Sequence, residues 1–492
     1  MISKHDGLSN WTRRAAFGLG LLALASGCAR KPPALPPGPA RAATSDARTR
    51  EHVGVTVYNQ NFGLVREKRR VQLGEGLVEL AYGDVASELQ AETVHIRSLD
   101  DADALAVLEQ NYRYDLLSPE TLLKKYVGKT IQVYRYNEQL GTEEKKAADV
   151  LAVEKGVVLR IDGQVTYDFP GRYAFPGVPE NLLAKPTLVW LLASHKPQQS
   201  LEVSYLTRGL NWQADYVLVL AADEKTSDLT GWVSLSNESG ASYENAELKL
   251  VAGDVQRVTP PPPPQAPMPM TEAMDAAANV QQFRQEGLFE YHLYTLERPT
   301  TLRDKEKKQV SLLEAHAVAV QKKLVFRGNE RFFPATPFAP LVNQKVSVFV
   351  ELMNSEKNHL GQPLPKGVVR VYKADQGGAQ QFVGEDTIDH TARDEKVRIR
   401  LGEAFDVVAD RKQLRTAQLG SCLVESEWEV ALRNHKDAGE RVEVEEPAGG
   451  DWEIVKSTQP ARRVDAHTFS FDVELPARGE KKLSYTVRVR YC

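Results

Sequence analysis

An alternation of apolar and polar residues with a period of two recurs along most of this chain. It restricts the fold more than any other feature. The runs at 346–352, 397–401 and 483–491 place an apolar or aromatic residue at every second position. Successive side chains of a β-strand point to opposite faces, so each run gives a strand with one apolar face. Such strands pack that face on a core. The sequence therefore predicts a mainly β protein with a multi-domain, β-sandwich-like architecture.

Turn signals lie between several of these runs. Asp162-Gly163 separates VVLRI from QVTYDF, and an Asp-Gly pair between two such runs favours a two-residue hairpin. Gly377-Gly378 follows another strand-like run, and Asp437-Ala438-Gly439 precedes RVEVEE. Short turns of this kind between strands are typical of antiparallel sheets.

Helix signals are scarce. Ser118 followed by Pro119 is a favourable N-cap and first helical position, which predicts a short helix near 119–127. Gly128 would end it. A second candidate helix covers 271–286, which is rich in Ala but poorly amphipathic.

The length predicts several domains. A chain of 492 residues exceeds the roughly 250–300 at which a single hydrophobic core stops growing. The predicted segments are a lipoprotein signal peptide (1–28), a flexible tether (29–50), an N-terminal β-rich domain (51–198) and a β-sandwich region (199–492).

Within the last segment, 256–287 is expected to be a disordered, Pro-rich insertion, because Pro cannot donate to a sheet ladder. Residues from about 340 to 492 are a candidate for a separate sandwich. A composition break near Lys196-Pro197 places the boundary between the two large domains.

The first segment has the features of an export signal. Lys4, Arg13 and Arg14 precede a short apolar run at 15–26, and the run ends in Leu-Ala-Ser-Gly-Cys28. This ending resembles a bacterial lipobox, which implies lipidation of Cys28 and a membrane anchor. The alternative is an ordinary secretory signal with a chance cysteine. The resemblance implies a bacterial envelope location, and Ala29 after the cysteine favours the outer membrane, facing the periplasm or the cell surface.

Charge argues against nucleic-acid binding. Lys and Arg total 62 and Asp and Glu total 66, which gives a net charge of −4. Nucleic-acid-binding domains instead carry a clustered basic excess. The basic runs at 66–70 and 303–308 are interleaved with acids and are predicted to lie on solvated faces. No motif for a phosphate loop, a nucleophile elbow or a zinc site is present, so no cofactor or metal is predicted.

Two small groups of residues are weak catalytic candidates. Glu290 and His292 are two positions apart, so on a strand they would share one face at about 7 Å. Asp386, Asp389 and His390 form the densest polar cluster. Asp386 and His390 would share a strand face about 13 Å apart, and Asp389 would point to the opposite face. A solvated strand face is the simpler interpretation of both groups.

The remaining two cysteines leave a disulfide open. With Cys28 assigned to lipid, Cys422 and Cys492 could pair in an oxidising envelope compartment. The strand pattern argues against a simple bridge, because Cys422 shares a face with Trp428 and Cys492 falls on the Arg490 face. A residue at a chain end can turn away from its strand, so both outcomes stay open.

Several stretches resemble the domain of unknown function 4139 family, which includes mucoidy-inhibitor-A-like proteins. They occur in the family's order over about 200–492, and LEQNYRYDLLSPETLLKKYVGK at 108–129 resembles the region upstream of it. The stretches are SYLTRGLNWQADYVLVL, GWVSLSNESGASYENAELKLVAGDV, FEYHLYTLERPTTL, NSEKNHLGQPLPKGVVRVYKAD and GEDTIDHTARDEKVRIRLGEAFDV. The resemblance implies a β-rich secreted or surface protein and no assigned chemistry.

Three functions fit these features. The favoured hypothesis is a non-enzymatic binding or scaffold protein of the envelope, with a protein or glycan partner. A structural or assembly role in surface polysaccharide is the first alternative, and it rests on the family name. A metal-dependent hydrolase of envelope material is the second, and it requires Glu290, His292, Asp386, Asp389 and His390 to meet in space.

Overall fold

The computed structural model describes residues 39–137, 141–154, 156–179, 182–183, 185–257, 282–333 and 337–492. The predicted signal peptide with Cys28, the start of the tether and residues 258–281 of the Pro-rich insertion lie outside the described residues.

Strands dominate the described chain. The first six are β1 (Arg41–Ser45), β2 (Arg50–Tyr58), β3 (Phe62–Gln72), β4 (Gly76–Gly83), β5 (His95–Ser98) and β6 (Leu105–Arg113). One helix and five strands follow: α1 (Pro119–Lys125), β7 (Thr130–Asn137), β8 (Thr142–Ala152), β9 (Val158–Ile161), β10 (Gln164–Tyr167) and β11 (Arg172–Ala174).

The next nine are β12 (Thr187–Ser194), β13 (Gln198–Arg208), β14 (Leu210–Leu220), β15 (Thr226–Asn237), β16 (Tyr243–Ala252), β17 (Phe283–Leu288), β18 (Tyr291–Leu296), β19 (Thr300–Leu302) and β20 (Glu306–Arg327). The last ten are β21 (Leu341–Met353), β22 (Gly367–Ala374), β23 (Gln380–Ile388), β24 (Lys396–Gln418), β25 (Leu423–Asn434), β26 (Glu440–Pro447), β27 (Asp451–Ser457), β28 (Ala461–Arg463), β29 (Thr468–Leu475) and β30 (Glu480–Arg490). The predicted mainly β, multi-sheet class is confirmed.

These strands form four sheets. A four-stranded sheet has the order β1-β4-β12-β6, and a five-stranded sheet has the order β10-β9-β8-β7-β11. An eight-stranded sheet runs β17-β18-β16-β2-β3-β13-β5, with β19 against β16. The largest sheet has thirteen strands, with the main path β23-β22-β14-β15-β20-β21-β24-β25-β30-β27.

The structure differs from the predicted boundary between 198 and 199. Strand β13 begins at Gln198 and pairs antiparallel with β3 along its whole length, and β16 pairs parallel with β2. Strands from both sides of the boundary therefore share one sheet. The boundary was inferred from local composition, which carries no information about pairing between distant segments.

Two large cores lie along the molecule. The first contains buried residues between Ala43 and Ile399, and the second contains buried residues between Leu324 and Val489. Strands β20, β21 and β24 run through both cores. The second core agrees with the candidate sandwich at about 340–492, although its strands begin earlier, in β20.

A small unit with its own core separates β6 from β12. Its five-stranded sheet packs around Leu123, Ile131 and Leu159. The predicted helix is confirmed as α1: the Ser118 side chain accepts a hydrogen bond from the backbone N–H of Thr121, and Pro119 is its first residue. The predicted Asp162-Gly163 hairpin joins β9 to β10.

Two predicted irregular segments contain strands. Within the tether at 29–50, β1 pairs in parallel with β4 and buries Ser45. Strand β17 begins at Phe283, inside the predicted insertion at 256–287, and this also contradicts the end of the candidate helix at 271–286. In both cases the backbone gains ladder hydrogen bonds from a distant partner strand, which local composition does not reveal.

The basic run at 66–70 is only partly solvated, contrary to the prediction. Glu67 and Arg69 are fully buried on the inner face of β3. Arg69 donates to a carboxylate oxygen of Glu67, and Arg50 donates to the other carboxylate oxygen at 2.8 Å. The Tyr82 hydroxyl also donates to Glu67, at 3.2 Å. Charged residues are rarely buried unless they are paired in this way.

The second core and the strands around it, which we call the second sandwich, repeat this arrangement. Arg411 and Glu446 are buried, with Nη2 to Oε1 at 2.7 Å and Nη1 to Oε2 at 3.0 Å. The hydroxyl of Tyr485 accepts from Arg411 at 3.3 Å. Each sandwich therefore contains a buried arginine, glutamate and tyrosine. Among the described residues, no helix is long and apolar enough to span a bilayer.

Candidate functional site

His390 is the predicted site residue with the most defined surroundings. It lies in the loop after β23, where Nδ1 accepts a hydrogen bond from the backbone N–H of Lys366 at 3.1 Å. A neutral imidazole that accepts at Nδ1 carries its proton on Nε2. The side-chain Nδ2 of Asn59 lies 3.4 Å from that nitrogen, but both atoms are then donors, so no hydrogen bond joins them. The loop before β22 thus holds the ring through Nδ1.

Partial burial favours the neutral form of His390, and the charges around it act in both directions. Partial burial lowers its pKa below the usual 6.5, and the positive charges of Lys366 and His292 lower it further. The negative charges of Asp254 and Asp389 act in the opposite direction.

This pKa shift predicts a pH dependence of stability. The folded protein holds the His390 proton less tightly than the unfolded chain. Stability is therefore retained above about pH 6.5 and is lost as the pH falls through the lowered folded value. We expect chemical denaturation between pH 7 and pH 5 to show this loss, and His390→Gln to reduce it. The exposed His467→Gln variant is the control, and equal slopes for both variants would contradict the assignment.

Glu290 and His292 do not share a strand face. Glu290 lies in the exposed turn between β17 and β18, and its neighbour Phe289 has positive φ and is 93% exposed. His292 lies on β18, where its Nδ1 is 2.8 Å from Nε2 of Gln285 on β17. The predicted pairing is wrong because the run FEYHLY contains a hairpin turn, and its first two residues are not in β18.

The two aspartates of the second group are also separated. Asp386 accepts hydrogen bonds from the backbone N–H groups of Thr387 and Arg400, at 2.9 and 2.7 Å. The Asp389 side chain is 95% exposed and lies 3.7 Å from Nζ of Lys366. In the part of the chain that the structure describes, no group of three or more His, Cys, Asp or Glu side chains could hold a metal ion.

Asp386 instead closes a ring of strands. The consecutive neighbours β23, β22, β14, β15, β20, β21 and β24 curl so that β23 returns beside β24. We call these seven strands the strand ring. No ladder joins β23 to β24, and the bond from Arg400 N–H to the Asp386 carboxylate substitutes for one. The sequence did not reveal that the Asp386 carboxylate holds the backbone of β24.

Two β-bulges face each other next to this clamp. The pairing of β23 with β22 shifts at Val383, and the pairing of β24 with β21 shifts at Leu401. Each shift is followed by a glycine at high positive φ: Gly384 at 151° and Gly402 at 137°. Residues that carry a side chain rarely adopt this backbone conformation, so glycine is favoured at both positions. Bulges of this kind redirect side chains and interrupt pairing.

A cavity of about 200 Å³ opens at this mouth of the strand ring. Its apolar wall includes Leu220, Val348, Val350, Val383 and Leu401. Four charged residues line the cavity: Glu224 from the turn between β14 and β15, Lys322 from β20, Lys373 from β22 and Glu403 from β24.

Glu224 and the two lysines form one shared ion pair. The Glu224 carboxylate accepts from Nζ of Lys322 with one oxygen and from Nζ of Lys373 with the other, both at 2.5 Å. Burial opposes ionisation of Glu224, but the two lysine hydrogen bonds outweigh it and lower its pKa to about 2. The carboxylate is therefore ionised at neutral pH.

This cavity lies within the region that a known family shares. The family model described as "Domain of unknown function (DUF4139)" matches residues 201–492. The chain belongs to this family. The resemblance seen in the sequence is confirmed over this range. No curated protein matches the chain. The DUF4139 region contains the strands of the strand ring, the cavity and the second sandwich.

The C-terminal end of the DUF4139 region carries a disulfide. Cys422 and Cys492 are joined, with their Cα atoms 5.6 Å apart. Cys492 lies beyond the last residue of β30, Arg490, so the strand alternation does not fix its direction. The backbone N–H of Tyr491 donates to the Cys422 carbonyl at 2.9 Å, which aligns the two ends.

Sequence reasoning missed the cavity of the DUF4139 region for an identifiable reason. Its lining comes from six strands and one turn that span a long stretch of the chain, and each contributes one to three residues. An isolated glycine inside a strand pattern signals a bulge, and Gly384 and Gly402 were available as that signal. The sequence did not show that these two glycines face each other across the strand ring.

Proposed function

We propose that this protein is a lipid-anchored, non-enzymatic binding or scaffold protein of the bacterial cell envelope. It is tethered through Cys28, with the outer membrane favoured. The observation that carries the proposal is the cavity beside β23 and β24. Concave apolar sites with a few polar groups, at the mouths of barrels, are characteristic places for ligand binding.

The hydrogen bonding of the catalytic candidates also supports binding over chemistry. Asp386 uses its carboxylate to hold two backbone N–H groups, and His390 uses Nδ1 to accept from Lys366 N–H. Glu290 lies in an exposed turn. These groups have structural partners in place of the acid–base partners that catalysis needs.

One observation favours a polysaccharide role as the second candidate. The open face of the small five-stranded sheet carries Tyr136 and Tyr167, which are 60% and 76% exposed. Val165, two residues before Tyr167 on the edge strand β10, is also exposed. Aromatic side chains on an open sheet face suit the apolar faces of sugar rings.

The proposed anchor predicts a clear fractionation result. Wild-type protein with a C-terminal tag is expected in the outer-membrane fraction, because an acylated cysteine partitions into the bilayer. Cys28→Ala is expected to lose that fraction. Crosslinking in cells before the pull-down is expected to recover the same envelope partner reproducibly. Cys28→Ala that stays with the membrane would contradict the anchor, and recovery no higher than an untagged control would contradict the binding role.

A further inference from the structure

The strand ring has no ladder on one side of the Asp386 clamp. At the bulges next to the clamp β23 and β24 still touch, since a Cβ built on Gly384 would lie 2.4 Å from the Leu401 carbonyl oxygen. Beyond the bulges the two strands are not paired. In the described residues, β23 has β22 on one side only, and β24 between Lys396 and Asp406 has β21 on one side only. We call this opening between β23 and β24 the seam.

Two unpaired strand edges therefore border the seam. The backbone N–H and C=O groups on such an edge pair readily with an added extended segment. Many recognition domains bind peptides in this way: main-chain hydrogen bonds give affinity, and pockets for side chains give specificity. Phe382 on β23 and Phe405 on β24 are 55% and 87% exposed.

The cavity at the seam has the size of one side chain. Its volume of about 200 Å³ exceeds the roughly 150 Å³ of an engineered apolar cavity that holds benzene. An aromatic or branched aliphatic side chain fits this volume. Val383, the bulge residue of β23, lines both the cavity and the seam, so a strand added at the seam would pass over the cavity mouth.

Counted together with the ion-pair partners of its acids, the charged group around the cavity has one excess positive charge. Lys322 and Lys373 share the single carboxylate of Glu224. The other two acids nearby have partners of their own: Glu403 lies 3.6 Å from Arg400, and Glu440, which is 3.7 Å from Lys322, lies 2.7 Å from Lys436. Each lysine ammonium has three donors, so both can bind a further anion.

The last residue of a polypeptide combines the three features that this site would bind: an extended backbone, one apolar side chain and one negative charge. As a specific form of the proposed binding function, on which it rests, we propose that the seam binds the C-terminus of a partner protein. The partner segment adds as a strand between β23 and β24. Its last side chain enters the cavity, and its terminal carboxylate binds Lys322 and Lys373.

The first experiment uses the purified full-length protein and a displayed library of random hexapeptides with free C-termini. Enriched peptides are expected to end in an aromatic or branched aliphatic residue. The strongest is then synthesised with a fluorophore at its N-terminus, as the free acid and as the C-terminal amide. Fluorescence anisotropy is expected to show at least tenfold weaker binding of the amide, about the effect of one charge-assisted hydrogen bond. No enrichment, or equal binding of acid and amide, would overturn the proposal.

Variants place the binding at the seam. Lys373→Gln is expected to weaken the free acid about tenfold and to leave the amide unchanged, because only the acid carries the charge. Val383→Asp is expected to abolish binding of both. Val455→Asp, at an exposed bulge valine on the edge strand β27, is the matched control and is expected to bind normally. Equal affinity of Val383→Asp and wild type would overturn the proposal, and unchanged thermal melting shows that each variant is folded.

Two further measurements separate this inference from the function beneath it. If a fluorescent fatty acid binds at the cavity and does not displace the bound peptide, the cavity takes an acyl ligand. That result would overturn the peptide proposal. The crosslinked pull-down in cells is repeated with Val383→Asp. If the envelope partner is recovered as well as with wild type, the seam is not its site and the binding role stands. If wild type itself recovers no partner, the binding role fails.

Discussion

Glu446→Gln is expected to lower the free energy of unfolding of the second sandwich by about 3–5 kcal/mol, the cost of removing one partner from a buried ion pair. Arg411 is 1% exposed and would keep its charge without a counter-ion. The rings of Phe332 and Trp428 lie near the guanidinium, with their centroids 4.7 and 5.8 Å from its central carbon. These rings cannot neutralise its positive charge as a carboxylate does. Denaturant unfolding followed by tryptophan fluorescence measures the change.

Two controls test the cause. The double variant Arg411→Met with Glu446→Leu is expected to recover most of the loss, because it removes both charges and keeps the volume apolar. Asp472→Asn breaks a surface pair with Arg441 and is expected to cost at most about 1 kcal/mol. A loss below about 1 kcal/mol for Glu446→Gln would show that the buried pair does not stabilise the sandwich.

Cys422→Ser is expected to lower the free energy of unfolding by about 2–4 kcal/mol, the usual contribution of a disulfide. The bridge to Cys492 spans 70 residues of sequence and limits the conformations of that loop in the unfolded chain. The loop includes β25, β26, β29 and β30, which contribute much of the second core. Thermal melting with and without a reductant measures the effect.

The reductant supplies the internal control. Wild type is expected to melt at a lower temperature when reduced, and Cys422→Ser is expected to be insensitive. Mass spectrometry of the non-reduced protein is expected to detect a peptide pair containing Cys422 and Cys492. Free thiols at both positions, together with a wild type that reductant does not destabilise, would contradict the bridge.

Local patterns predicted local structure well. Period-two runs became β21, β24 and β30, and Ser118-Pro119 began the helix found there. Glycine-containing turns separated strands as expected. The same patterns failed at FEYHLY, since a run of alternating residues does not mark the point at which a hairpin reverses.

The candidate site was only partly foreseeable. The prominence of His390 was visible in the sequence, but its hydrogen bond to the Lys366 backbone was not. Asp386 was noticed for acid–base chemistry, whereas its carboxylate joins β23 to β24. Glu224, Lys322 and Lys373 carried no motif, because three residues from separate turns and strands acquire a shared role only when the strand ring forms.

The sequence by itself determined the strands marked by its alternation, the turns between them, the short helix that begins at Pro119 and the family. These depend on side-chain alternation and on backbone preferences within a few residues. The tertiary structure alone decided which strands pair across the predicted boundary, which charges are buried and where the cavity opens. Burial of Glu67 with Arg69, and of Arg411 with Glu446, is possible only because strands distant in sequence bring a counter-charge to each. The free energy of such contacts depends on partners that no local pattern specifies.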